Sequence, residues 1–200
     1  MTLELRSLAA GLVAITCLAG CLASAPATRL YQLESMADRP AVETAAKPVT
    51  LIIREVRLPQ YLDRPQIVTR DIGHRMHLAE FDHWAGDLRE DLTRILAENL
   101  GRLLGSERVF GSPLTVAMQP DYRLEVEILQ FERDAGGRVQ LTARWWLAQG
   151  KDASVLATRE ASFSGSAAMD SYPGLIAAMS AVYGDLARAI ATTVRQAAGT

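Results

Sequence analysis

The sequence predicts an α+β fold, with an antiparallel sheet in one layer and two long helices packed on one of its faces. Three observations predict it. Two segments, near residues 84–104 and 173–196, place apolar side chains at spacings of three and four, which puts them on one stripe of a helix. Between them, three runs alternate apolar and polar residues around short turns, as half-buried strands of a meander do. Each element therefore has one face to cover, and helices against sheet in two layers cover all of them.

The N-terminus stands apart from this domain. Leu8 to Gly20 is almost wholly apolar and follows a short segment with Arg6. The run is too short to span a bilayer as a helix, which takes about 20 residues, and it has the shape of a secretory signal. Both cysteines of the chain, Cys17 and Cys21, lie at its end. No histidine lies near them in sequence to complete a metal site. Leu18-Ala19-Gly20-Cys21 matches the bacterial lipobox: an apolar residue, two small ones that enter a protease site, and a thiol that receives a diacylglycerol. On this reading residues 1–20 are a signal peptide and Cys21 is the lipidated first residue of the mature chain. Residues 21–28 form a short tether, and 29–200 form a single domain. Each buried methylene adds about 0.8 kcal/mol, so two or three acyl chains hold stably where one does not. Leu22 rather than an Asp follows the cysteine, which points to the periplasmic face of the outer membrane.

Within the domain, Arg29–Glu34 alternates and reads as a first strand. Ser35–Pro48 is a polar, Ala-rich loop, and Val49–Leu58 is a β-branched strand. Pro59 and Pro65 break regular pairing in the next stretch. Short strands follow around Asp71-Ile72-Gly73. The first helix starts at Trp84, with Asp82 as its expected N-cap and Gly105 as its terminator. Strands over 121–134, 138–149 and 153–165 form the meander. Pro173 suits an early position of the second helix.

Composition narrows the function. The net charge is −2, only Lys47 and Lys151 are lysines, and no basic block is interleaved with aromatics, so nothing points to a nucleic-acid partner. His74, His77 and His83 lie in one short segment, but His74 and His77, three apart in a strand, face opposite sides. A polar sheet edge or loop explains them better than a metal. There is no G-x-S-x-G element, no phosphate loop and no cysteine nucleophile that survives maturation. The expectation is no catalytic residue, no metal and no cofactor. An envelope hydrolase would need a constellation that is not apparent.

Two features ask for a partner. Leu58–Arg70 places Tyr61, Leu62 and Arg64 on a Pro-flanked loop, the composition of a recognition surface. The plainer alternative is a Tyr packed on its own domain. In Trp145-Trp146 one indole must face the core and the other away, so Trp146 is either covered or offered to a partner.

The run "VRLPQYLDRPQIVTR" followed by "HLAEFDHWAGDLREDLTRILAENLGRLLG", behind a lipobox, resembles the ABC-type transport auxiliary lipoprotein family. The family pattern usually has Pro-Leu where this chain has Asp87-Leu88. The resemblance implies a non-catalytic, outer-membrane-anchored docking subunit for a mammalian-cell-entry (MCE) domain protein that carries lipid between membranes. A cyclic partner would suit a ring of several copies. The rival reading is a free-standing periplasmic binder of lipid or a small molecule.

Overall fold

The computed structural model describes residues 26–36, 48–113, 118–167 and 171–199. The lipobox and Cys21 lie outside them, as does most of the tether. In chain order the elements are β1 (Arg29–Tyr31), β2 (Leu51–Arg57), β3 (Gln66–Arg70), β4 (Met76–Trp84), α1 (Leu88–Leu104), β5 (Val109–Gly111), β6 (Tyr122–Arg133), β7 (Arg138–Gln149), β8 (Val155–Ser166) and α2 (Tyr172–Ala198).

The eight strands form one sheet, and β6 is its hub. One edge of β6 pairs along its length with β7, which in turn pairs with β8. Its other edge is shared. β2 lies along the first half, from Leu51 opposite Tyr122 to Arg57 opposite Glu127. β3 meets the end, at Thr69 opposite Arg133. Both run parallel to β6, so the chain follows a single edge twice and leaves it between. Pro59 and Pro65 lie in that excursion, where their missing N–H groups cost the ladder nothing. β4 and β1 extend the β3 branch, and β5 extends β2.

The antiparallel expectation is therefore corrected to a mixed sheet. The meander β6–β7–β8 and the β3–β4 hairpin are antiparallel, whereas β1–β4, β2–β5, β2–β6 and β3–β6 are parallel. Period-two alternation reports which face a residue takes and is silent on strand direction, which the long connections set.

Both helices lie on one face of the sheet. Trp145, on the inner face of β7, donates its indole N–H to Thr193 of α2 at 3.2 Å. Tyr183 of α2, fully buried, donates its hydroxyl to the Leu92 carbonyl of α1 at 3.0 Å, tying the helices together. α2 is long and apolar enough to cross a membrane by composition, but its apolar stripe is spent on this core. A register shift between Ile128 and Gln130 changes the phase of β6. Leu124, Val126 and Ile128 face the helices before it, and Phe131 does so after it, its ring 5.9 Å from that of Tyr183.

α1 begins later than expected. Trp84 ends β4, and Asp87 is the N-cap, accepting from the Arg89 and Glu90 N–H groups at 2.8 and 3.2 Å. Asp87 and Glu90 have capping-box spacing. Asp82 is instead 3% exposed within β4. Its carboxylate takes two bonds from the Arg29 guanidinium, both 2.7 Å, and one from the Tyr31 hydroxyl at 2.9 Å. Arg29 is also its register partner, so this pair fixes β1 on the sheet edge. The guanidinium beside it holds the Asp82 carboxyl below the usual carboxylate range.

A depressed folded pKa adds stability above the unfolded value, near 3.9 for Asp, and that stability fades as pH falls through the folded value. Asp82→Asn is accordingly expected to melt below the parent at neutral pH. The gap should close in strong acid, as followed by thermal denaturation across that range.

Candidate functional site

The excursion between β2 and β3 is built from inside. Glu132 projects from β6 on the side opposite Phe131, one residue past it, and is 0% exposed. A buried carboxylate is costly unless every oxygen is matched. Here the match is full. Arg70, on β3, donates Nε at 2.8 Å and approaches Oε1 with a second nitrogen at 2.7 Å. The Tyr61 hydroxyl donates to Oε2 at 2.7 Å. The Gln130 amide and the Phe131 N–H complete the set at 3.0 and 3.1 Å. Burial and the facing carboxylate push the Tyr61 hydroxyl well above its ordinary pKa.

The loop is therefore pinned at several points. Tyr61 is half-buried and turned toward Glu132. Leu62 is 3% exposed and belongs to the core, so its expected role as a contact residue is corrected: it offers no surface. The Leu62 N–H donates to Pro59 O and the Arg64 N–H to Leu62 O, both at 2.9 Å, and Pro65 O accepts from the Trp84 N–H at 2.7 Å. Exposed Asp63 pairs with Arg89 at the start of α1 at 2.6 Å. What faces outward is Asp63, Pro65 and the half-buried Arg64. Arg64 makes no ion pair among the described residues, and its Nε is shielded without a partner.

Trp146 lies on the sheet face away from the helices. Glu125 stands opposite it on β6 and Thr158 opposite it on β8. It is half-buried beneath Arg57, whose guanidinium carbon is 5.4 Å from the ring centroid. Such a pair contributes about 0.5–1 kcal/mol at an exposed site. Arg57 ends β2 just before the loop begins and reaches across the sheet face to the indole on β7, which lies between β6 and β8. Around Trp146 the face is polar: Arg144 bonds Glu160 at 2.6 Å and approaches Glu127 at 3.7 Å, and Thr142 bonds Ser162 at 2.9 Å.

A concavity lies elsewhere on the domain. A groove of about 1330 Å³ runs along α1 toward β5, with half-buried Ala97, Val109 and Phe110 among charged Arg94, Glu98 and Arg102. The sequence offered no sign of it, because β5 is only three residues long. Among the described residues no group of three His, Cys, Asp or Glu side chains is placed to hold a metal.

The family model of the ABC-type transport auxiliary lipoprotein component matches residues 31–191. The chain belongs to this family. Two solved structures share the auxiliary lipoprotein's fold. One is a crystal structure of an uncharacterized protein, 19% identical, with a TM-score of 0.69 over 84% of this chain and 99% of that one. The other is a protein from Xanthomonas campestris, 15% identical, with a TM-score of 0.69 over 86% and 100%. No curated protein matches the chain. The region matched by the family model takes in the Tyr61–Glu132 loop, Trp146 and the α1 groove.

Removing Glu132 leaves Arg70 and Tyr61 facing an empty site, so Glu132→Ala is expected to cost about 3 kcal/mol. Tyr61→Phe loses one bond to a charged group, about 1.5 kcal/mol. Because the folded protein holds the Tyr61 proton more tightly, stability falls as pH rises above about 10. Tyr61→Phe should lose less stability in that window than the parent, as read by urea denaturation at neutral and alkaline pH.

Proposed function

We propose that this auxiliary lipoprotein is a non-catalytic docking subunit of an MCE-type intermembrane lipid transport system, anchored through Cys21 to the periplasmic face of the outer membrane. The observation that carries the reading is the family match across residues 31–191. The loop adds to it. A partner gains most from a surface already held in its bound shape, because little ordering entropy is left to lose. Tyr61, Leu62 and Asp63 are fixed by contacts within the domain, and they present Arg64, which makes no ion pair among the described residues. Trp146, stacked under Arg57 on the polar sheet face, supplies the aromatic anchor typical of interface hot spots. In this reading Tyr61 and Leu62 shape the contact from beneath, while Arg64 and Trp146 touch the partner. A cyclic MCE assembly would repeat one contact around a ring of copies.

The α1 groove favours a second reading, a periplasmic binder of lipid or a small apolar molecule that acts alone. Its half-buried Ala97, Val109 and Phe110 are suited to an acyl chain or an apolar ring.

Co-purification separates the two. The tagged, full-length lipoprotein is solubilised in mild detergent, and the captured proteins are identified by mass spectrometry. The docking reading expects an MCE-domain protein with the parent and its loss with Arg64→Glu and Trp146→Ala, both still folded by circular dichroism. Retention in both variants moves the contact elsewhere on the domain. No such partner, with bound lipid recovered from the purified protein, favours the binder.

A further inference from the structure

β1 runs parallel to β4, with Arg29 opposite Asp82 and Tyr31 opposite Trp84. A strand that lies parallel to β4 enters the sheet from the end at which β4 begins. That end is the β3–β4 hairpin. The eight residues from Cys21 to Arg29 span at most about 29 Å. From Asp82 back to Met76, β4 covers about 20 Å. The length of chain upstream of β1 is thus enough to reach the hairpin and little more.

The hairpin tip is unusual. Ile72 is 78% exposed, the highest value among the large apolar side chains described. It is held there by a firm turn. The Asp71 N–H donates to the Arg75 carbonyl at 2.8 Å, and the Asp71 carboxylate takes the Ile72 N–H at 2.7 Å and the Arg75 guanidinium at 2.8 Å. Gly73 and His74 both adopt left-handed backbone angles, φ 75° and 66°, which turns the chain behind Ile72. His74 and His77 are exposed beside it. The β6–β7 turn, with Asp134 and Arg138, lies at the same end of the sheet.

We propose that the β3–β4 hairpin tip is a second membrane contact, with Ile72 inserted in the lipid interface beside the acyl anchor and Arg75 and His74 at headgroup level. The inference rests on Cys21 being the acylated residue. An amphipathic tip with one apolar side chain and flanking donors suits the acyl–headgroup boundary, and the short tether keeps it there at high local concentration. This contact sets the orientation of the domain: the hairpin end faces the bilayer and the β7–β8 turn faces the periplasm.

The test uses the full lipoprotein, purified from membranes and reconstituted in vesicles of phosphatidylethanolamine and phosphatidylglycerol. Once Cys21 is acylated the mature chain has no free thiol, so Ile72→Cys and Lys151→Cys can each take a single environment-sensitive fluorophore. Lys151 lies on the β7–β8 turn at the opposite end of the sheet. Spin-labelled lipid is expected to quench the probe at position 72 several-fold more than that at 151, and aqueous iodide the reverse. Equal quenching at both sites, with the protein still vesicle-bound, overturns the proposal and leaves the anchor standing. A protein that washes off the vesicles overturns both.

Discussion

The buried carboxylate of Glu132 is the constraint on which the candidate surface depends. It sits where three strands converge: β6 carries it, β3 supplies Arg70, and the excursion from β2 supplies Tyr61. None of these partners is free to relax, because leaving a buried charge unmatched costs several kcal/mol. The loop's path is thus determined by an acid that lies about seventy residues downstream. The stiffness that the prolines impart is local. The choice of which side chains face out is made by Glu132 and by the core site that takes Leu62.

The same hub explains the sheet. β6 accepts β2 and β3 in succession along one edge, and β7 along the other. The bulge near Leu129 keeps Phe131 on the helix side and thereby sends Glu132 to the other face. One irregularity in one strand thus serves both the core, through Phe131 and Tyr183, and the loop. The two helices cover a single face, which leaves Trp146 and the Arg–Glu ladder of β6, β7 and β8 on the other.

The legible parts of the fold are those with strong periodicity. The stripes of α1 and α2 and the alternation of β6, β7 and β8 locate those elements to within a few residues, because burial of one face dictates residue type at every position. Strand direction is not written in alternation, and so the antiparallel expectation fails for β1 against β4, for β2 against β5 and β6, and for β3 against β6, while it holds for the β3–β4 hairpin. Asp82 illustrates a related limit. An acid ahead of an apolar run reads as a cap, but its partner Arg29 lies 53 residues away. The Asp87–Glu90 spacing was the better signal for the helix start. In the candidate surface, Tyr61 and Leu62 were visible as unusual residues on a Pro-flanked loop, but their inward orientation depends on Glu132, which looked like any polar residue of a strand. Val109–Gly111, and with it the α1 groove, left no trace because three residues carry no period.

Two surfaces divide the labour in the proposed arrangement. On the proposed reading the hairpin end and Cys21 meet the membrane, while Arg64 and Trp146 meet a protein partner. The most direct measurement is site-specific photo-crosslinking in intact cell envelopes, with a photoreactive side chain placed at position 64. Docking through Arg64 predicts an adduct between this lipoprotein and an MCE-domain protein, and none from the same probe at Lys151. Adducts from position 64 that contain only lipid, or the same adduct from both positions, would contradict it.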